Sequence, residues 1–144
     1  MNDQPLPYVV LLTCCISYHD CFSDIFVKDN KYKLGDFGLA KSLSNPKNVE
    51  EGDPRYMAKE LLDWGNCDDL SKADIFSFGL TMYELLSGIK LPANGPLWHD
   101  LRNGRAPARL DYLHSFVESM MEPDYRIRPS AARLLRQIDQ KIAA

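Results

Sequence analysis

Two short apolar segments around a polar run predict a β-hairpin near the start of the chain. Ile25-Phe26-Val27 and Tyr32-Lys33-Leu34 flank Lys28-Asp29-Asn30-Lys31, and short strands on either side of a polar turn are typical of a hairpin. Residues 39–56 hold mostly Ser, Asn, Pro, Lys and Glu, which predicts a long exposed loop. Residues 1–23 show no clear periodicity.

The most apolar helix is predicted between Ser71 and Gly88. Ser71 with Asp74 three residues later has the pattern of a capping box, and glycine is common just after a helix. Apolar residues cover nearly the whole circumference, which is usual for a helix at the centre of a domain. They are Ala73, Ile75, Phe76, Phe78, Leu80, Met82, Tyr83, Leu85 and Leu86.

Three further helices are predicted from apolar spacing and end signals. One spans residues 96–103 before Gly104, one spans residues 111–121, and the last begins at Ser130 and continues through Ile142. The whole pattern predicts a mainly α-helical domain with one small β-hairpin and about five helices.

Composition narrows the class of protein. A net charge of −3 argues against a nucleic-acid binder, which usually has a basic surface. No apolar run approaches the roughly 20 residues that a transmembrane helix needs. Cys14, Cys15 and Cys21 lack the paired spacing of a metal site, which favours free thiols in a reducing compartment. We therefore expect an intracellular protein, in the nucleus or the cytoplasm.

Two blocks of sequence suggest phosphate chemistry. Gly35-Asp36-Phe37-Gly38 follows the second predicted strand and places a carboxylate between two glycines. A carboxylate is a ligand for a hard cation such as Mg²⁺, and the glycines leave the backbone free to bend. A second block, residues 51–60, follows after a short loop. In this order, the blocks resemble the activation segment of a protein kinase, from its DFG motif to its APE motif.

The resemblance runs from Asp24 to the last helix and implies a partial kinase C-lobe with two candidate metal ligands. Asp36 matches the ligand that binds Mg²⁺ at the ATP phosphates, Phe37 the residue whose packing distinguishes active from inactive states, and Gly38 the adjacent hinge. Asp24 stands where the family has a metal-binding Asn. A surface residue at the start of a strand is the alternative for Asp24.

The resemblance also implies structural roles. Ala58-Lys59-Glu60 stands where the family usually has Ala-Pro-Glu, and Glu60 would form a buried ion pair with Arg128. Asp74 matches the aspartate of the central helix that braces the catalytic loop. Because helices that cover the central helix in the family have no counterpart among these residues, we expect an exposed face among Ile75, Phe78, Met82 and Leu85.

The acceptor part of the segment indicates a subfamily. Gly52-Asp53 replaces the Gly-Thr pair of most serine/threonine kinases, and together with Arg55 and Tyr56 it resembles the Wee family of inhibitory cell-cycle kinases, including the Myt branch. Trp98-His99, followed by the run at residues 101–107, resembles the same family.

The Wee resemblance implies an activity and a partner. Such kinases use ATP and Mg²⁺ to phosphorylate a Tyr, and in the Myt branch also a Thr, of a cyclin-dependent kinase, which delays entry into mitosis. The 144 residues contain no Gly-rich loop, no strand lysine with its helix glutamate and no His-Arg-Asp loop. We expect residues 1–23 to be non-homologous, residues 24–142 to form a partial kinase domain, and the chain alone to be inactive.

Two other interpretations stay open. The first is a non-catalytic binding module that docks a kinase partner through the short helix around Trp98. The second is a mis-predicted open reading frame with no independently folded product.

Overall fold

The computed structural model describes residues 8–9, 25–35, 41–42, 52–62, 68–107 and 110–143. In chain order the elements are β1 (Tyr8–Val9), β2 (Ile25–Lys28), β3 (Lys31–Leu34), β4 (Lys41–Ser42), α1 (Lys59–Leu62), α2 (Ser71–Ser87), α3 (Pro96–Arg102), a 3₁₀ turn (Asp111–Leu113), α4 (His114–Met120) and α5 (Ala131–Ile142). Across these ranges the prediction of a mainly α-helical domain with a small hairpin is confirmed.

The predicted hairpin forms where the pattern places it. Strands β2 and β3 pair antiparallel from Ile25 opposite Leu34 to Lys28 opposite Lys31. Asp29 and Asn30 form the two-residue turn, with φ of 53° and 58°. Positive φ at both turn positions matches the right-handed twist of the strands, and Asp and Asn accept this conformation more readily than most residues. A second two-stranded sheet pairs β1 with β4.

Helix α2 begins differently from the predicted capping box. Ser71 is the first helical residue, and the Asp69 carboxylate accepts a hydrogen bond from its backbone N–H at 3.1 Å. The N-cap position is Leu70 and no side chain caps it, so the predicted capping box of Ser71 with Asp74 does not form. The other end is as predicted, because Gly88 has φ of 68° and donates its N–H to the Glu84 carbonyl at 3.0 Å.

The core forms where α2 packs against α4. A Cβ on Gly79 would lie 2.9 Å from Met120 Cβ, which shows how closely the helices approach. Phe76, Leu80 and Tyr83 of α2 are buried there. The remaining buried hydrophobic residues of this cluster are Tyr56, Ala58, Ala73, Leu91, Leu101, Leu110, Val117, Met120, Met121 and Leu134. The core thus attaches the segment around Tyr56 directly to the central helix.

The central helix is not buried all round. Leu85 is 59% exposed and Leu86 41% exposed, whereas Ile75, Phe78 and Met82 are half-buried. The expected exposed face is therefore confined to the C-terminal end of α2. In the described part of the chain, no helix is both long and apolar enough to cross a membrane.

The later helices have the predicted end signals. Pro96 lies in the first turn of α3, and Gly104 follows that helix with φ of 73°. The Ser130 hydroxyl caps α5 by accepting from the backbone N–H of Arg133 at 3.3 Å. The helix predicted at residues 111–121 is shortened most, because its first three residues form the 3₁₀ turn.

Candidate functional site: the acceptor loop and its anchors

Residues 52–58, here called the acceptor loop, turn sharply before α1. The Tyr56 backbone N–H donates to the Asp53 carbonyl at 3.0 Å. The buried Asp53 carboxylate accepts from the Arg55 backbone N–H at 2.9 Å and from Arg55 Nη2 at 2.6 Å. The hydrogen bond to Asp53 raises the pKa of Arg55 and outweighs the opposing effect of burial. The two side chains therefore neutralise each other next to Gly52, which is half-buried.

Tyr56 anchors the loop to the central helix. Its side chain is fully buried, and its hydroxyl donates to Glu84 Oε2 at 2.5 Å. The other carboxylate oxygen of Glu84 accepts from the Leu91 backbone N–H at 3.0 Å. The Tyr56 carbonyl accepts from the Ser77 hydroxyl at 2.9 Å. A buried carboxylate on α2 thus links the acceptor loop to the segment that follows the helix.

Replacing Tyr56 with phenylalanine is expected to lower the free energy of unfolding by about 1–3 kcal/mol, because one oxygen of the buried Glu84 loses its donor. Urea denaturation followed by circular dichroism measures this value. Tyr112→Phe is the matched control, because Tyr112 is 79% exposed and its hydroxyl can bond to water. Equal stability of the two variants would show that the Tyr56 hydroxyl does not hold the loop.

Helix α3 covers the loop from another side. Trp98 Nε1 donates to the Pro54 carbonyl at 2.9 Å, and the indole is half-buried. The guanidinium of Arg102 lies 3.8 Å from the centre of the Trp98 ring system. Docking of a partner through Trp98 stays a prediction, and a Trp98→Ala change would also remove this bond to the loop.

A buried ion pair holds Glu60, which lies in α1 just after the acceptor loop. Arg128 Nη1 lies 2.7 Å from Glu60 Oε1, and the Arg128 side chain is 0% exposed. Arg128 also donates to the carbonyl of Lys72 at 2.5 Å and to that of Glu122 at 2.9 Å. Lys72 Nζ in turn donates to the Arg128 carbonyl. The structure therefore brings together Glu60 and Arg128, which are 68 residues apart.

The other residues with implied roles divide between the described and undescribed parts of the chain. Asp74 lies half-buried in the first turn of α2. Asp24, Asp36, Phe37 and Gly38 lie outside the described residues. No cluster of three or more His, Cys, Asp or Glu residues suited to a metal occurs within the described ranges.

Comparison with known proteins agrees with this architecture. The family model of the protein kinase domain matches residues 15–138. Over 116 residues, the chain is 42% identical to a Wee1-like protein kinase of Oryza sativa subsp. japonica. The aligned region covers 78% of this chain and 22% of the rice protein. The chain belongs to the Wee family of protein kinases.

Two animal relatives extend the comparison. A Membrane-associated tyrosine- and threonine-specific cdc2-inhibitory kinase of Drosophila melanogaster is 45% identical over 115 residues, covering 74% of this chain and 21% of that protein. Wee1-like protein kinase 2 of Homo sapiens is 42% identical over 119 residues, covering 79% of this chain and 21% of that protein. The chain of this Wee family member spans about a fifth of the length of the curated relatives it matches.

Two residues that hold the acceptor loop in this Wee family member were not predicted from the sequence. Glu84 is buried although it is acidic, and its position in an otherwise apolar stretch of α2 was the available signal. Arg102 is also buried, at 3% exposure. It lies four residues after Trp98, a spacing that places both side chains on one face of a helix.

Proposed function

We propose that this chain carries the activation segment and supporting helices of a Wee-type kinase that transfers phosphate from ATP to a Tyr or Thr of a cyclin-dependent kinase, and so restrains mitotic entry. The observation that carries the proposal is the acceptor loop, in which Asp53 is paired with Arg55 and Tyr56 is bonded to Glu84. The Drosophila relative is named a membrane-associated tyrosine- and threonine-specific cdc2-inhibitory kinase. We place this activity inside the cell, in the nucleus or the cytoplasm.

The proposed cofactors are ATP and Mg²⁺. Asp36 is the proposed ligand of the metal, with Asp24 as a second candidate, by their match to the family pattern. Bound Mg²⁺ would offset the charge that develops on the phosphate oxygens. Phosphoryl transfer depends on positioning by both lobes of a kinase, and the 144 residues contain no Gly-rich loop and no His-Arg-Asp motif. We therefore propose that the 144-residue chain alone does not catalyse the reaction.

A reconstituted kinase tests this function. Residues 24–144 are joined to the N-terminal lobe and catalytic loop of the rice Wee1-like kinase, and transfer to a cyclin-dependent kinase is measured with radiolabelled ATP. The fusion is expected to phosphorylate the substrate, whereas the 144-residue chain is not. Asp36→Asn should reduce the rate of the fusion by roughly 10³-fold, because a metal ligand is lost.

Asp29→Asn is the matched control, since Asp29 is an exposed carboxylate in the hairpin turn and asparagine also accepts its positive φ. This variant should keep the full rate. Turnover by the 144-residue chain alone would overturn the proposed inactivity. A fusion that phosphorylates a generic kinase substrate but no cyclin-dependent kinase would overturn the proposed partner.

A further inference from the structure

Arg102 binds the backbone of the acceptor loop at several points. Its Nη2 lies 2.8 Å from the Pro54 carbonyl oxygen, 3.2 Å from that of Arg55 and 2.7 Å from that of Met57. Its Nη1 donates to the Trp98 carbonyl at 3.2 Å. One guanidinium group therefore contacts three carbonyls of one turn, and all three must face α3 for these bonds to form.

The charge of Arg102 has an unusual environment for a buried cation. Within the described residues no carboxylate forms an ion pair with it, whereas the equally buried Arg128 has Glu60. Burial lowers the pKa of Arg102 to about 10. Carbonyl dipoles and the ring of Trp98 provide the compensation. Because a buried cation without these partners would be costly, the side chain strongly favours the one loop conformation that supplies them.

The guanidinium geometry is important to this contact. A planar fork can direct several N–H groups along fixed directions, whereas the ammonium of lysine is a compact charge on a flexible stem. The Nε of Arg102 is buried and has no hydrogen-bond partner among the described atoms. The terminal nitrogens thus make all the polar contacts, at the end of the side chain that faces the loop.

We propose that Arg102 is a positioning residue of the acceptor loop: by holding the carbonyls of Pro54, Arg55 and Met57, it fixes the backbone that presents the Asp53–Arg55 pair to the incoming protein substrate. This inference rests on the proposed kinase function. It assigns to α3 a role in substrate binding that operates through the loop, without contact between Arg102 and the substrate.

The first test measures loop order in the 144-residue chain. Arg102→Lys is expected to accelerate hydrogen exchange of the Arg55 and Tyr56 amides by roughly tenfold, because local opening becomes easier. The Leu134 amide, bonded to the Ser130 carbonyl at 3.0 Å in α5, is the internal reference and should not change. Arg105→Lys is the matched control, since the Arg105 side chain lies just beyond α3 and is 77% exposed.

A second variant covers the case in which Arg102→Lys unfolds the chain and accelerates exchange at Leu134 as well. Trp98→Phe keeps an aromatic ring next to the guanidinium but removes the indole N–H that binds Pro54. It should accelerate exchange of the Arg55 and Tyr56 amides by roughly three- to fivefold, without a change at the Leu134 amide. Unchanged exchange at Arg55 and Tyr56 in a folded Arg102→Lys variant, or in Trp98→Phe if the lysine variant unfolds, would overturn the proposal.

The second test separates positioning from simple structural support. In the reconstituted kinase, Arg102→Lys should raise KM for the protein substrate by roughly tenfold and leave KM for ATP unchanged, because only the acceptor side is disturbed. Arg105→Lys should change neither constant. Faster exchange with an unchanged KM for the substrate would overturn the positioning role. An inactive reconstituted kinase would instead count against the proposed function, since the exchange measurement does not depend on activity.

Discussion

Replacing Glu60 with alanine is expected to lower the free energy of unfolding by about 3–5 kcal/mol, because the change leaves the charge of Arg128 buried without its counter-ion. The Arg128 side chain is 0% exposed and that of Glu60 is 8% exposed, so water cannot replace the carboxylate in the folded structure. The carbonyls of Lys72 and Glu122 remain as partners of the guanidinium. They cannot supply the missing negative charge. We therefore expect the residues that end at Glu60 to detach first from the loop that carries Arg128, just before α5.

Urea denaturation of Glu60→Ala, of Arg128→Met and of the double variant measures the effect. Glu60→Ala combined with Arg128→Met should recover part of the loss, because the unpaired charge is then absent. Arg126→Gln is the matched control, since its pair with Asp124 is similar in length, 2.8 Å against 2.7 Å, but exposed. Its denaturation midpoint should not move. A Glu60→Ala midpoint equal to that of Arg126→Gln would contradict a structural role for the buried pair.

A contact between two side chains that each lie in a recognisable motif can be predicted from the sequence. Glu60 and Arg128 are 68 residues apart, yet each lies in a motif with a known structural context, and the structure brings them together. The hairpin follows from a local pattern, since Asp29 and Asn30 accept the positive φ that a two-residue turn demands.

The contacts of Arg102 could not be predicted in the same way. Its partners are the carbonyls of Pro54, Arg55 and Met57, and every residue has a backbone carbonyl, so no pattern of side chains identifies them. The pairing of Tyr56 with Glu84 has a similar difficulty. A buried tyrosine needs a partner for its hydroxyl, but the sequence does not say which of several distant polar groups comes within reach.

The apolar pattern of α2 also reaches a limit. Hydrophobic positions around the whole helix predict burial, but Leu85 is 59% exposed in the structure. The pattern reports which side chains can be buried, whereas the actual burial depends on which other elements pack nearby. The helix start shows the same limit on a smaller scale. Ser71 is a good capping residue by type, but the backbone places Leu70 at the N-cap position and Ser71 inside the helix.

Phe76 is the residue on which the two arginine anchors converge. It is 1% exposed. The Arg128 guanidinium lies 4.8 Å from the centre of its ring, and the Arg102 guanidinium lies 5.9 Å away. Both distances are within the range of a cation–π contact, which is stronger where water is excluded. A single aromatic side chain of α2 thus contacts the groups that hold the acceptor loop and the end of the activation segment.

Replacing Phe76 with alanine is expected to lower the free energy of unfolding by about 3–5 kcal/mol, because it removes a buried ring and leaves a cavity. Phe76→Leu retains most of the apolar volume but loses the ring face, so its expected cost is smaller, about 1–3 kcal/mol. Urea denaturation of the three proteins measures both values. Phe26→Ala is the control for the loss of a ring, since Phe26 is 54% exposed in the hairpin.

Hydrogen exchange distinguishes the aromatic contribution from simple packing. If the ring supports the arginines, Phe76→Leu should accelerate exchange at the Tyr56 amide more than at the Leu134 amide, since the acceptor loop depends on Arg102. Equal acceleration at both amides would mean that Phe76 contributes only volume to the core. In that case the acceptor loop and the Glu60 pair would be held independently of each other, and stability losses from Glu60→Ala and Arg102→Lys should add.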